Sequence, residues 1–253
     1  MIVEKFLWGT FSAFLLITVW YVAALVMNSH YILPTPLSVF LDCVDLLKNP
    51  AFFPLLAATC YRGIIAFSIS LALSLVFGLA AGMLPFFSAA LRPWMAVIKA
   101  TPVVAFILIA LLWFGSSTVP IFVSVLMTIP IMTETIAQGV RSSDEKLLEM
   151  AQIYHIAKRD VFLHIQIPSA LPSFLSGAGV SLGLTWKVVV AGEILSSPKL
   201  GIGSAMQTAK IHLETPRVFS LTLAAIMLSI ATELVFNGLI YLSRRYTAEN
   251  GAA

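Results

Sequence analysis

The chain has 253 residues, of which 59% are hydrophobic and only 11% charged, and its mean hydropathy is +0.96. Soluble domains carry about 25% charged residues, so this composition excludes an ordinary soluble globular protein and points to an integral membrane protein. The net charge of +3 gives no reason to expect a nucleic-acid partner.

A helix needs roughly 20 apolar residues to cross a hydrocarbon core, and six stretches reach that length: 6–27, 63–84, 95–114, 119–140, 174–195 and 218–242. The expected fold is therefore all-α, with six transmembrane helices in a single domain over 1–253. The first apolar run is too long for a typical signal sequence and reads as a retained anchor, so 1–58 forms an anchor helix and an interfacial segment, and 59–245 a five-helix core. Between the first two crossings, ILPTPLSVFLDCVDLLKNP predicts a proline-bounded turn and a short amphipathic helix at the outer interface, with Val39, Phe40, Val44, Leu46 and Leu47 on or near its apolar side. Cys43 and Cys60 lack metal or CxxC spacing and read as two unpaired thiols, a disulfide being the alternative. Gly78 and Gly82 in the second crossing, like Gly179 and Gly183 in the fifth, are spaced to admit a close helix neighbour. Pro85, Pro93 and Pro102 around the third crossing, and Pro120 and Pro130 in the fourth, predict kinks or interruptions.

The one long polar insert lies between the fourth and fifth crossings. Ser142 and Glu145 fit a capping box opening a helix, along which Leu147, Leu148, Ala151 and Tyr154 recur at helical spacing. A change of direction at 155–157 and a second short helix, KRDVFLHIQI, complete a helix-turn-helix elbow over 142–168, with Pro168 and Pro172 delaying the next crossing. Six crossings put both termini on one side. Lys5, Arg92, Arg141, Lys146, Lys158, Arg159, Arg244 and Arg245 share that side against Lys48, Arg62, Lys199, Lys210 and Arg217 on the other, a bias of eight to five that makes the termini and the elbow cytoplasmic. Read from physics alone, the elbow either lies on the bilayer with Lys158 and Arg159 at anionic headgroups or docks as a helix in a partner's groove.

From Glu149 to Pro168 the insert reads EMAQIYHIAKRDVFLHIQIP, with Glu149, Ala151, His155, Ile156, Ile165, Ile167 and Pro168 in register with a pattern of E-A-A, three residues, G, nine residues, I-x-L-P. It resembles the EAA loop in permease subunits of binding-protein-dependent ABC importers. LPTPLSVF (33–40), TCYRGIIAFSISLALSLVFGLAAG (59–82), KATPVVAFILIALLWFG (99–115), TWKVVVAGE (185–193) and LGIG (200–203) are similar to the nitrate, sulfonate and taurine branch, whose permeases riboflavin and thiamine-precursor importers share. Met150 and His155 depart from the motif's second alanine and its glycine, and His155 lacks glycine's freedom at positive φ.

The resemblance implies an ATP-driven importer subunit in the inner membrane that moves a small solute, such as nitrate, a sulfonate, taurine or bicarbonate. It implies a second permease copy, two cytoplasmic ATPase subunits and an extracytoplasmic solute-binding protein. The elbow becomes the coupling helix: Glu149 pairs with a basic group of the ATPase, Leu148, Ala151 and Ile156 fill its groove beside Tyr154 and His155, and Pro168 fixes the link to the fifth crossing. ATP and Mg belong to the partner, because no G-x-x-x-x-G-K-[ST], nor any Gly-Lys pair, occurs in this chain.

Lys99, Glu134, Lys187, Glu193 and Glu233 fall inside predicted crossings, where an unpaired charge costs roughly 2.5 to 3.5 kcal/mol near the centre. Lys99 and Glu134 are expected to form a salt bridge, either structural or a gate contact. Trp186, Lys187 and Glu193 are pathway candidates, with Lys187 placed to attract an anion or, alternatively, to pair with Glu233. His30, His155, His164 and His212 are too scattered for a metal site, and no nucleophile has a base at useful spacing, so no bound cofactor and no catalysis are expected. The rival reading is an ion-gradient transporter or channel using Glu134, Glu193 and Glu233, for which the expected inverted repeat is missing. A membrane-embedded enzyme would need clustered histidines or carboxylates at one depth, which the sequence lacks.

Overall fold

The computed structural model describes residues 2–27, 29 and 31–250; His30 lies outside them, as do the side chains of Lys5, Arg244 and Arg245. Eleven α-helices and no strand occur among the described residues. Helix α1, Ile2–Met27, meets the rest of the chain toward its end, where the Trp20 ring stacks 5.7 Å from Phe219 and its Nε1 donates to the Pro34 carbonyl. Thr35 caps α2, Pro36–Lys48, by accepting from the Ser38 amide, and Pro36 opens it with a φ already suited to a helix. Only one edge of α2 is buried: Val39 and Leu46 pack inward, the Ser220 hydroxyl donates to the Val39 carbonyl, and Phe40 and Leu47 face outward. The segment thus docks on α11, Thr215–Asn250, and does not simply lie at the interface.

The centre is a three-helix layer. Helix α6, Val119–Arg141, packs along both α3, Phe52–Met83, and α9, Ile167–Ser196. Gly78 and Gly82 are what allow the α3 contact: a Cβ at either would stand 2.6 Å from the Cβ of Ile136 or Val140. Hydroxyls reinforce the layer. Thr128 donates to Ser70 at 2.6 Å and Ser74 to the Ile129 carbonyl at 3.3 Å, all fully buried. The second glycine pair behaves differently, since Gly179 and Gly183 face open space within the protomer.

Among the described residues five helices are long and apolar enough to cross a membrane, and the third expected crossing is broken. It consists of α4, Pro85–Ala100, and α5, Val103–Ala110, which meet at 96°. Pro102 is the cause: it offers no amide and drives Thr101 into an extended conformation, ψ 130°, so the helix cannot continue. Beyond the bend, Ile107 and Ala110 bury themselves against Val119, Val123 and Val188. Pro130, by contrast, is accommodated inside a continuous α6.

The polar insert also differs from the expected elbow. Ser142 closes α6, its amide bonding to the Gln138 carbonyl, so the capping box is not used. Asp144 instead caps α7, Glu145–Ile153, accepting from the Lys146 amide at 2.9 Å. The expected second short helix is the beginning of the fifth crossing: α8, Lys158–Val161, runs through a π-helical turn at Phe162–Gln166 directly into α9. There the Ile167 amide reaches back to the Phe162 carbonyl. A wider turn at this point suits Pro168, which has no amide to give, so neither Pro168 nor Pro172 delays the crossing.

Candidate functional site

Three groups of side chains carry the chemistry. The first is buried where α3, α9 and α10, Ile202–Ile211, converge. Glu193 is 0% exposed and accepts from Arg62 Nη1 at 2.6 Å, from the Thr59 hydroxyl at 2.9 Å and from the Gly203 amide at 2.9 Å. Arg62 also donates to the carbonyls of Leu200 and Ser117, and the Thr59 oxygen accepts from the Ile202 amide. The run LGIG fits the same pocket: a Cβ on Gly201 would lie 2.7 Å from the Glu193 carboxyl carbon, and one on Gly203 would lie 2.5 Å from the Val190 carbonyl oxygen. Four stretches of chain are therefore tied to one carboxylate.

Glu193, a pathway candidate from the sequence, is fully buried within the protomer with its oxygens saturated by protein donors, the contacts of an anchor. Arg62 is likewise not an outer-loop charge but sits well inside α3. The sequence reading missed their pairing. Trp186 is buried as well, its ring occupying the space left by Gly63. Lys187 is exposed beside an apolar groove that includes Val190, Ile194 and Ile226, and Glu233 is exposed on α11. No ion pair joins Lys187 to Glu233 among the described residues.

The second group lies between α4 and α6. Lys99 and Glu134 form an ion pair, 44% and 53% exposed, in a cleft of about 490 Å³. Arg92, Gln138 and Arg141 share its walls. Arg141 donates to the Ala81 carbonyl and the Ser88 hydroxyl, pinning the ends of α3 and α4 to α6. An exposed pair of this kind contributes little to stability in water, so its value lies in placing charge along a membrane-crossing face.

The third group is the insert. Ala151 is 2% exposed, and Leu148 on the same helix is half-buried. Glu149, Met150, Ile153 and Tyr154 are exposed, Tyr154 by 74%, and so are Ile156 and Pro168. The helix ends in a Schellman turn: the Ile156 amide bonds to the Ala151 carbonyl, the His155 amide to the Gln152 carbonyl, and His155 sits at φ 51°. The position where the resembled motif has glycine is therefore left-handed here too, and histidine occupies it at a cost of about 1 kcal/mol. His155→Gly is expected to stabilise the turn by about that amount, read as a higher unfolding midpoint of the purified chain and slower exchange of the Ile156 amide.

Residues 50–247 match the family described as binding-protein-dependent transport system inner membrane component. The chain is 30% identical over 211 residues to the formylaminopyrimidine transport permease protein ThiX of Halalkalibacterium halodurans, covering 81% of this chain and 82% of that one. It is 27% identical over 244 residues to the taurine transport system permease protein TauC of Escherichia coli, covering 93% and 87%. A putatively aliphatic-sulfonate transport permease, SsuC of Bacillus subtilis, is 28% identical over 208 residues, covering 81% and 75%. In fold, the chain is similar to the crystal structure of an amino acid ABC transporter with histidines, at a TM-score of 0.61 and 16% identity, covering 82% of this chain and 96% of that chain.

Proposed function

This chain belongs to the inner membrane components of binding-protein-dependent transport systems, the permease subunits of ABC importers, and on that premise we propose that α7 and its Schellman turn form the docking element for a separate cytoplasmic ATPase. One observation carries the reading: α7 is capped by Asp144 and buries only Ala151, while Glu149, Met150, Ile153 and Tyr154 are presented outward. A helix that lies anchored on one side and displays apolar residues with a carboxylate on the other suits a partner's groove. The continuous helix from Lys158 to Ser196 then gives displacement of the docking element a rigid route into the crossing that carries Lys187 and Glu193.

On the same premise we propose that the termini and α7 lie on the cytoplasmic side of the inner membrane, with a solute-binding protein at the opposite face and a second permease copy alongside. Lys99 and Glu134 are charged and half-exposed on a crossing, which suits a water-filled pathway better than hydrocarbon. Relatives named for taurine, aliphatic sulfonates and formylaminopyrimidine support a small polar solute, with an anion or zwitterion favoured by the basic cleft.

Affinity purification of the tagged chain in mild detergent tests the proposal. A stoichiometric ATPase subunit should come with it, and the complex should hydrolyse ATP. A lone bundle with uptake driven by an ion gradient and indifferent to ATP would return the rival reading.

A further inference from the structure

We infer that a second copy of this chain docks on the open face shared by α9 and α11, with Lys187 of each copy paired to Glu233 of the partner subunit. This deepens the reading of a second permease copy alongside, on which it rests, by naming the surface the two copies share.

Two membrane charges make the first argument. Lys187 stands about 14 Å inside the outer end of α9 at Ser196. Its level on α11 follows from its neighbour Trp186, which lines an outer groove together with Ser229 and Ile230 and an inner one together with Ala231 and Thr232. Lys187 is therefore level with Ile230 and Ala231, and Glu233 lies within about one helical turn of that depth. Both side chains are exposed, and neither has a hydrogen-bond or ion-pair partner among the described residues. A lone charge this far into a crossing is costly and calls for an opposite charge at the same depth. An anionic headgroup cannot supply it, because headgroups stay at the membrane surface.

The two charges also share one side. On α11, Ile226, Ser229 and Ile230 line the outer groove, and Glu233 continues their stripe at helical spacing. On α9, Lys187, Val190 and Ile194 form the opposite wall, and Gly183 and Gly179 extend it in steps of four.

Shape makes the second argument. Gly78 and Gly82 are closed off by α6 of the same protomer, whereas Gly179 and Gly183 meet nothing within 4 Å. They leave room for a helix from outside the protomer to approach closely. Whatever fills this face must bring an anion to Lys187 and a cation to Glu233, which lipid tails cannot do. A second copy does both at once. A two-fold axis along the membrane normal keeps every residue at its own depth, so it sets Lys187 against the partner's Glu233 and Glu233 against the partner's Lys187.

The test is co-purification of two differently tagged full-length copies from membranes in mild detergent, expressed without an ATPase so that only permease contacts hold them together. Parent copies should retain each other. Matched Lys187→Glu copies, or matched Glu233→Lys copies, place like charges together twice and should lower the yield about tenfold or more. A Lys187→Glu copy mixed with a Glu233→Lys copy regains both cross-pairs and should return to the parent yield. Pairing within one copy predicts the opposite, because each variant then carries its own clash into the mixture. Mixed copies retained no better than matched ones, or matched ones retained like the parent, overturn the inference while leaving the second copy in place. Parent copies that do not retain each other overturn the second-copy reading itself. Membrane level and unfolding midpoint are read on the same samples. Where a reversed charge prevents folding, a bismaleimide cross-link between Lys187→Cys in one copy and Glu233→Cys in the other, both lacking Cys43 and Cys60, decides. A product at twice the chain mass supports the shared face, and its absence between folded copies overturns it.

Discussion

Glu193→Ala should be the most damaging single substitution in the membrane-crossing body, lowering stability by about 3 to 5 kcal/mol. The carboxylate is the common acceptor for Arg62, Thr59 and the Gly203 amide, so its removal leaves a guanidinium, a hydroxyl and a backbone donor facing each other in a site without water access. An uncompensated buried charge is the costliest of these losses. Arg62→Met should cost a similar amount for the mirror reason, stranding the carboxylate. The double variant, Glu193→Ala with Arg62→Met, should be less damaging than the two single losses summed, since no bare charge then remains. The measurement is the unfolding midpoint of each purified chain by fluorescence-detected gel filtration, with the single variants lower by something on the order of 10 °C. Single variants that melt with the parent, or losses that simply add, would show that the pair is not the tie it is taken to be.

That tie explains why part of the structure was legible in the sequence and part was not. Apolar length alone located five crossings and the bent α4–α5 pair, because a helix that must hide its backbone in hydrocarbon has few alternatives. It could not place their ends. Arg62 seemed to stand outside the second crossing because a lone cation looks like an interface residue, whereas α3 begins at Phe52 and carries it inside. Two isolated opposite charges in separate apolar runs were the available signal for the pairing, but their contact spans 131 positions and no local pattern reports it. The break at Thr101 was visible as a proline cluster, but its 96° angle depends on what α5 packs against. In the insert, a capping box was legible and wrong. Ser142 satisfied the pattern, yet α6 had not finished, and Asp144 two residues later met the free amides of α7. His155 shows the opposite outcome: although it lacks glycine's freedom at positive φ, it keeps the left-handed turn and bears the strain.

Glu149→Arg is expected to abolish ATP-driven uptake while leaving the folded protein in the membrane at its normal level. Glu149 is exposed and makes no hydrogen bond or ion pair among the described residues, so its reversal should change stability by no more than about 0.5 kcal/mol. Bringing a cation to a groove that offers a basic group costs several kcal/mol, which is at least about a hundredfold in association. Ala151 is a poorer place to ask the question. A bulky side chain there must first displace packing beneath α7, at about 1 to 3 kcal/mol, so lost uptake would mix misfolding with misdocking. Tyr154→Ala is the better companion, since the ring is almost wholly outside the fold and its removal subtracts an aromatic anchor worth about 2 kcal/mol or more if it sits at the interface centre. Uptake in whole cells, co-purified ATPase and the unfolding midpoint, measured together, separate the possibilities. Lost uptake with a lost ATPase and an unchanged midpoint locates docking on this face. Lost uptake with the ATPase still bound moves Glu149 from attachment to the transmission of movement into α9. Normal uptake in both variants would take the coupling role away from α7 altogether.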